Sequence, residues 1–141
     1  MNRITLLLFV LLNTLACQST KDLIAPGAGL IGSWQYVERG YSPGAGYIVD
    51  QIPRKPIQRI DFLADNTVLT SKIDDQFFSS ARTYRIDSLQ RGAVRVAYVS
   101  LFDAAGKLLG LQMGVGIRND TLRLSPPCIE GCHSAFVRLR N

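Results

Sequence analysis

An all-β domain, curled into an eight-stranded antiparallel up-and-down barrel, is the fold class that the sequence predicts. Three observations carry this expectation. Beyond residue 30 the chain is a series of short apolar or alternating runs separated by turn residues, which is the pattern of strands. No run keeps a helical period. After the second run the links are short, and a parallel crossover needs about a dozen residues or more, so neighbours pair antiparallel.

The first strand is expected from Ile31 to Arg39, followed by a long loop through Ser42-Pro43-Gly44-Ala45-Gly46 to Pro53 and Pro56. Ile57 to Leu63 and Thr67 to Lys72 form the clearest hairpin, because Asp65 and Asn66 tolerate the left-handed backbone of a tight turn. A fourth strand runs from Arg82 to Ile86 and stops at Asp87-Ser88. Ala93 to Phe102 turns at Asp103-Ala104-Ala105-Gly106 into Leu108 to Ile117. Arg118-Asn119-Asp120 turns again into Thr121 to Leu124, and Ala135 to Arg140 closes the set. Eight such strands hide their two outer edges by closing on themselves.

The period of two assigns the faces. Leu109, Leu111, Met113, Val115 and Ile117 are expected inside, alternating with Gly110, Gln112, Gly114 and Gly116. Ile60, Phe62, Tyr84, Ile86, Val94, Val96, Tyr98, Leu122 and Leu124 join the inward set, while Arg59, Asp61, Arg85, Arg95 and Arg123 point out.

Ahead of the barrel stand two segments with a different role. Arg3 followed by an uncharged, mostly apolar stretch from Ile4 to Ala16 describes a secretory signal over residues 1–16, too short to span a bilayer. Leu15-Ala16-Cys17 resembles the end of a bacterial lipobox, which implies that Cys17 becomes the lipid-modified first residue. Residues 17–29 read as a polar and then Pro/Gly-rich tether, too poor in apolar surface to fold. The domain then spans 30–141. Removing residues 1–16 takes away Arg3 and no acid, so the net charge of +5 becomes +4. The basic residues are scattered, without a run of like charge, and no nucleic-acid partner is expected. With Cys17 given to lipid, Cys128 and Cys132 remain as a disulfide pair in an oxidising envelope compartment.

At Gly32-Ser33-Trp34 the chain resembles the lipocalins, in which a Trp at the start of the first strand closes one end of the barrel under an Arg from near the chain's end. The resemblance implies that Gly32, Trp34 and either Arg138 or Arg140 form such a closure, and stacking of a guanidinium on an indole is physically favourable. Ser42-Pro43-Gly44-Ala45-Gly46 and Leu124-Ser125-Pro126-Pro127-Cys128-Ile129-Glu130-Gly131-Cys132 narrow the likeness to small lipocalin-like lipoproteins of Bacteroidota. That family implies an envelope location and a barrel. The chain is shorter than larger lipocalins and lacks their helix before the end, which argues against a roomy cavity.

Other chemistry is expected to be absent. Cys128, Cys132 and His133 miss the haem-attachment spacing by one residue, and two Cys with one His leave a zinc ion short of a ligand. Gly27-x-Gly29-x-x-Gly32 matches a dinucleotide fingerprint in letters, but follows a tether instead of a strand. His133 is the sole histidine, and no nucleophile and acid can be assigned around it. No enzyme, metal or cofactor is expected. The leading expectation is a lipid-anchored envelope protein that binds a small apolar or amphipathic molecule, with Phe62, Tyr84, Tyr98, Leu111 and Met113 around it. Its alternative is a filled barrel serving as an interaction protein, whose partner meets the 42–56 loop. Gln18 after Cys17 favours the outer membrane by general bacterial sorting rules.

Overall fold

Each hairpin begins with a turn that its own residues specify. In the 63–67 turn Asn66 is left-handed (φ 67°), and the Asp65 carboxylate accepts from the Thr67 N–H at 3.0 Å. Asn119 and Asp120 are both left-handed, the backbone that a two-residue hairpin linking right-twisted strands requires. Asp103 accepts from the N–H groups of Ala105 and Lys107, each at 2.9 Å, closing the third turn.

The computed structural model describes residues 29–129 and 131–140, with only the backbone of Arg91. The expected signal peptide, Cys17 and nearly all of the expected tether lie outside the described residues. Nine strands and one helical turn follow in chain order: β1 (Gly32–Tyr41), β2 (Ile48–Gln51), β3 (Arg59–Phe62), β4 (Val68–Ser71), α1 (Gln76–Ser79), β5 (Thr83–Arg91), β6 (Val94–Phe102), β7 (Leu108–Arg118), β8 (Thr121–Ser125) and β9 (His133–Arg138).

All pairs are antiparallel, in the order β4-β3-β1-β9-β8-β7-β6-β5, with β2 attached to β1. This is the expected meander, curled so that the first barrel strand pairs with the last. The two edge strands meet at one place. Thr67 bridges Thr83, the Val68 N–H donates to Arg82 O (2.8 Å), and the Tyr84 N–H donates to Asn66 O (2.9 Å). The sheet is thus a half-barrel with a single point of closure.

The long loop and the gap hold two elements that periodicity did not reveal. β2, only four residues long, lies inside the expected 42–56 loop and pairs with the second half of β1. α1 forms because the Asp75 carboxylate caps it, accepting from the Phe77 N–H at 2.9 Å. It delivers Phe78 to the core, edge-on to Tyr36 (5.7 Å between ring centroids) and to Phe136 (5.3 Å).

Side chains fill the barrel axis. Trp34, Tyr36, Phe62, Leu101, Leu122 and Phe136 have at most 1% of their surface exposed. Eight-stranded barrels are narrow enough for that.

Two face assignments need correction. Tyr84 pairs with Leu101 and Ile86 with Val99, so the inward residues of β6 are Val99 and Leu101. Val94, Val96 and Tyr98 lie on the opposite face, and Val94 is 62% exposed. Both faces of β6 are apolar, and Arg95, which suggested an outward odd face, sits near the hairpin tip. In β7, Leu101↔Leu109 and Val99↔Met113 enclose one residue of β6 but three of β7. This bulge, entered through left-handed Gly110 (φ 62°), turns Leu111 out to 62% exposure while Met113 stays buried. A Cβ on Gly110 would lie 2.8 Å from the Phe77 ring, so glycine there also admits α1.

Candidate functional site

Because successive barrel strands alternate in direction, their links fall at two ends. At the end where β1 begins, Arg138 on β9 lies opposite Trp34, its Cζ 4.1 Å from the Trp34 ring centroid. The Trp34 Nε1–H donates to Leu30 O (2.8 Å), and Arg138 donates to Ile31 O (3.0 Å) and Gly29 O (2.6 Å). Gly32 lies directly beneath the Arg138 guanidinium. Arg140 pairs with Asp120 instead.

At the opposite end, between α1 and β7, lies an apolar cleft of about 260 Å³ lined by Phe77, Phe78, Gly110, Leu111, Met113 and Pro126, with Asp75 and Ser134 as its polar members. The β7 bulge and α1 create it together. Ligand pockets usually begin at about 300 Å³, so this volume suits one ring or a short alkyl chain. Of the five residues proposed around a ligand, Leu111 and Met113 line this cleft. Phe62 and Tyr84 pack edge-to-face on each other at 5.2 Å, and the Tyr84 hydroxyl donates to Leu63 O at 2.7 Å. Tyr98 is on the outer face, opposite Asp87.

A polar cluster on the outer face was not legible from spacing. β1 carries an extra residue at Val37, between the pairs Tyr36↔Phe136 and Glu38↔Ala135. The bulge carries the even-numbered residues of β1 from inside to outside, so Glu38 and Gly40 join His133 on the outer surface. His133 is nonetheless 4% exposed, covered by Tyr47 and pressed against Gly40. Its Nε2 lies 2.6 Å from Glu38 Oε1 and 2.9 Å from an Arg123 Nη, while its Nδ1 bonds the Tyr47 hydroxyl.

Donor and acceptor chemistry places a proton on His133 Nε2. A guanidinium only donates and a carboxylate only accepts, so Nε2 can serve one of its two neighbours. The hydrogen bond from His133, seconded by Gln51, holds the Glu38 carboxyl below its ordinary value, so it is ionised and takes the Nε2–H. In the neutral imidazole Nδ1 is then the acceptor for the Tyr47 O–H. Arg123 is left beside an N–H it cannot bond, with Glu38 Oε1 at 3.9 Å as its ion partner. Cys128 and Cys132 form a disulfide (Cα–Cα 5.9 Å) immediately before His133.

A pH dependence follows from the depressed Glu38 value. A carboxyl whose folded pKa lies below its unfolded value, near 4.5, contributes stability that is complete above that value and lost as pH falls through the folded pKa. Denaturant midpoints measured from pH 7 down to pH 3 are expected to show the advantage of the wild type over Glu38→Gln shrinking with acid. An advantage constant across that range would refute this role of the ionised carboxylate.

Comparison of the chain with protein-family models, with curated proteins and with solved structures finds no match. The fold and its clefts therefore define the class: an all-β half-barrel, closed at one end by Trp34 and Arg138, with an apolar cleft at the other. Among the described residues no helix is long and apolar enough to cross a membrane, and no three His, Cys, Asp or Glu side chains form a metal cluster.

Proposed function

We propose that this is a lipid-anchored, lipocalin-like protein of the cell envelope, tethered through Cys17 to the outer membrane, that binds a small apolar or amphipathic molecule without chemical turnover. The carrying observation is the cleft between α1 and β7, where Phe77, Leu111 and Met113 converge on a space that no side chain among the described residues fills. With the axis packed, the ligand sits at the barrel's end and is correspondingly small. Leu111 is 62% exposed, so Leu111→Asp places a charge in the cleft at little cost to the fold. The expected result is binding of a fluorescent apolar probe weakened at least about ten-fold, the effect of losing roughly 1.4 kcal/mol, with the melting temperature unchanged. Native mass spectrometry of the full chain purified in detergent should show a co-purified small molecule. Absence of both bound material and probe binding would overturn the reading.

A second reading is favoured by β2 and the residue before it. Tyr47, Ile48 and Val49 are 41–49% exposed, an apolar strip beside turn residues. In that reading the barrel is a filled scaffold, and a protein partner meets the 42–56 segment. Val49→Asp would then abolish in-cell cross-linking to the partner and leave probe binding intact.

A further inference from the structure

Outside the barrel, against the disulfide, lies a second cleft of about 510 Å³ lined by Tyr47, Arg123, Ser125, Pro126, Cys132 and His133. We propose that it is a separate ligand site, built for a small oxyanion that carries a hydroxyl or N–H beside its charge. The donor and acceptor inventory specifies that pattern. The Arg123 side chain is 55% exposed, abuts the His133 N–H, and has its ion partner no closer than 3.9 Å, so its fork of donors is available to the cleft. Ser125 Oγ makes no hydrogen bond among the described residues and adds a second donor. Tyr47 presents the opposite character. With its proton directed at Nδ1 of the neutral imidazole, its oxygen offers the cleft lone pairs and takes a donor from the ligand.

Two further observations separate a binding site from a mere clasp. Glu38, His133 and Tyr47 complete their chain of hydrogen bonds without Arg123, whose placement in the cleft the clasp does not need. Glu38 is not among the residues that line this cleft. Ordering of the site is already in place. His133 is fixed at both nitrogens, and a disulfide and Pro126 hold the opposite wall, which lowers the entropy lost on binding.

The sole histidine gives the test a single reporter, the His133 Cε1–H signal in carbon–proton NMR of the full chain in detergent. Glycolate, acetate and acetamide are titrated at constant ionic strength. Glycolate is expected to shift the signal saturably with a Kd on the order of 1 mM, acetate about five-fold more weakly for want of the hydroxyl, and acetamide not at all. Arg123→Gln removes saturation, and Tyr47→Phe removes the preference for glycolate over acetate. Equal affinities for glycolate and acetate, a shift reproduced by chloride, or an unaltered titration in Arg123→Gln would each overturn the proposal. None of these outcomes touches the apolar cleft, whose probe binding is read separately.

Discussion

Trp34→Ala is expected to remove about 4 kcal/mol of stability, the largest loss from any single substitution in this domain. Trp34 has no exposed surface, so truncation leaves a cavity at the closed end that the rigid strands around it cannot collapse. The buried Leu30 carbonyl loses its donor, and Arg138 loses the ring beneath it while remaining tied to Gly29 and Ile31. The melting temperature should fall by roughly 15 °C, measured by circular dichroism because the variant has no tryptophan fluorescence. Trp34→Phe keeps most of the apolar area and should lose less than half as much. A loss for Trp34→Ala below about 1.5 kcal/mol would place it among ordinary substitutions and show that the closed end is not a structural keystone.

The second large effect is expected at Gly40. It is buried in β1 opposite His133, and a Cβ there would run into the Tyr47 hydroxyl and the His133 ring. Gly40→Val must push both rings aside, so it combines overpacking with the loss of the Tyr47–His133 hydrogen bond from a histidine that stays buried. Together these amount to about 3 kcal/mol. The His133 Cε1–H signal should move and glycolate binding should vanish. Gly116→Ala is the control, since its nearest contact would be Arg123 O at 3.9 Å, ordinary van der Waals distance. It should stay within about 0.5 kcal/mol of the wild type. An unchanged His133 signal in Gly40→Val would show that the rings have room to spare.

The meander was legible because its turns advertise themselves: Asn66, beside the accepting Asp65 carboxylate, and Asn119-Asp120 take left-handed backbone, and each pair stands where a strand reverses. Faces were legible only where one side is polar. β8 alternates Leu122 and Leu124 with arginine and reads correctly, whereas β6 is apolar on both sides and its single arginine misled. The β7 bulge does not interrupt the apolar alternation of Leu109, Leu111, Met113, Val115 and Ile117, and its trace in the sequence is Gly110. That bulge makes the apolar cleft, so the cleft was readable only in part. The polar cluster was unreadable for another reason. Glu38, Tyr47, Arg123 and His133 come from four strands or their borders, assembled by a one-residue bulge, and no local spacing encodes such a meeting.

The pairing of β1 with β9 ties the beginning of the domain to its end. A chain emerging N-terminus first presents Trp34 and Tyr36 long before Phe136 and Arg138 exist to cover them. Closing so long a loop is entropically slow. Such a chain acquires its tertiary structure only after its last strand has arrived.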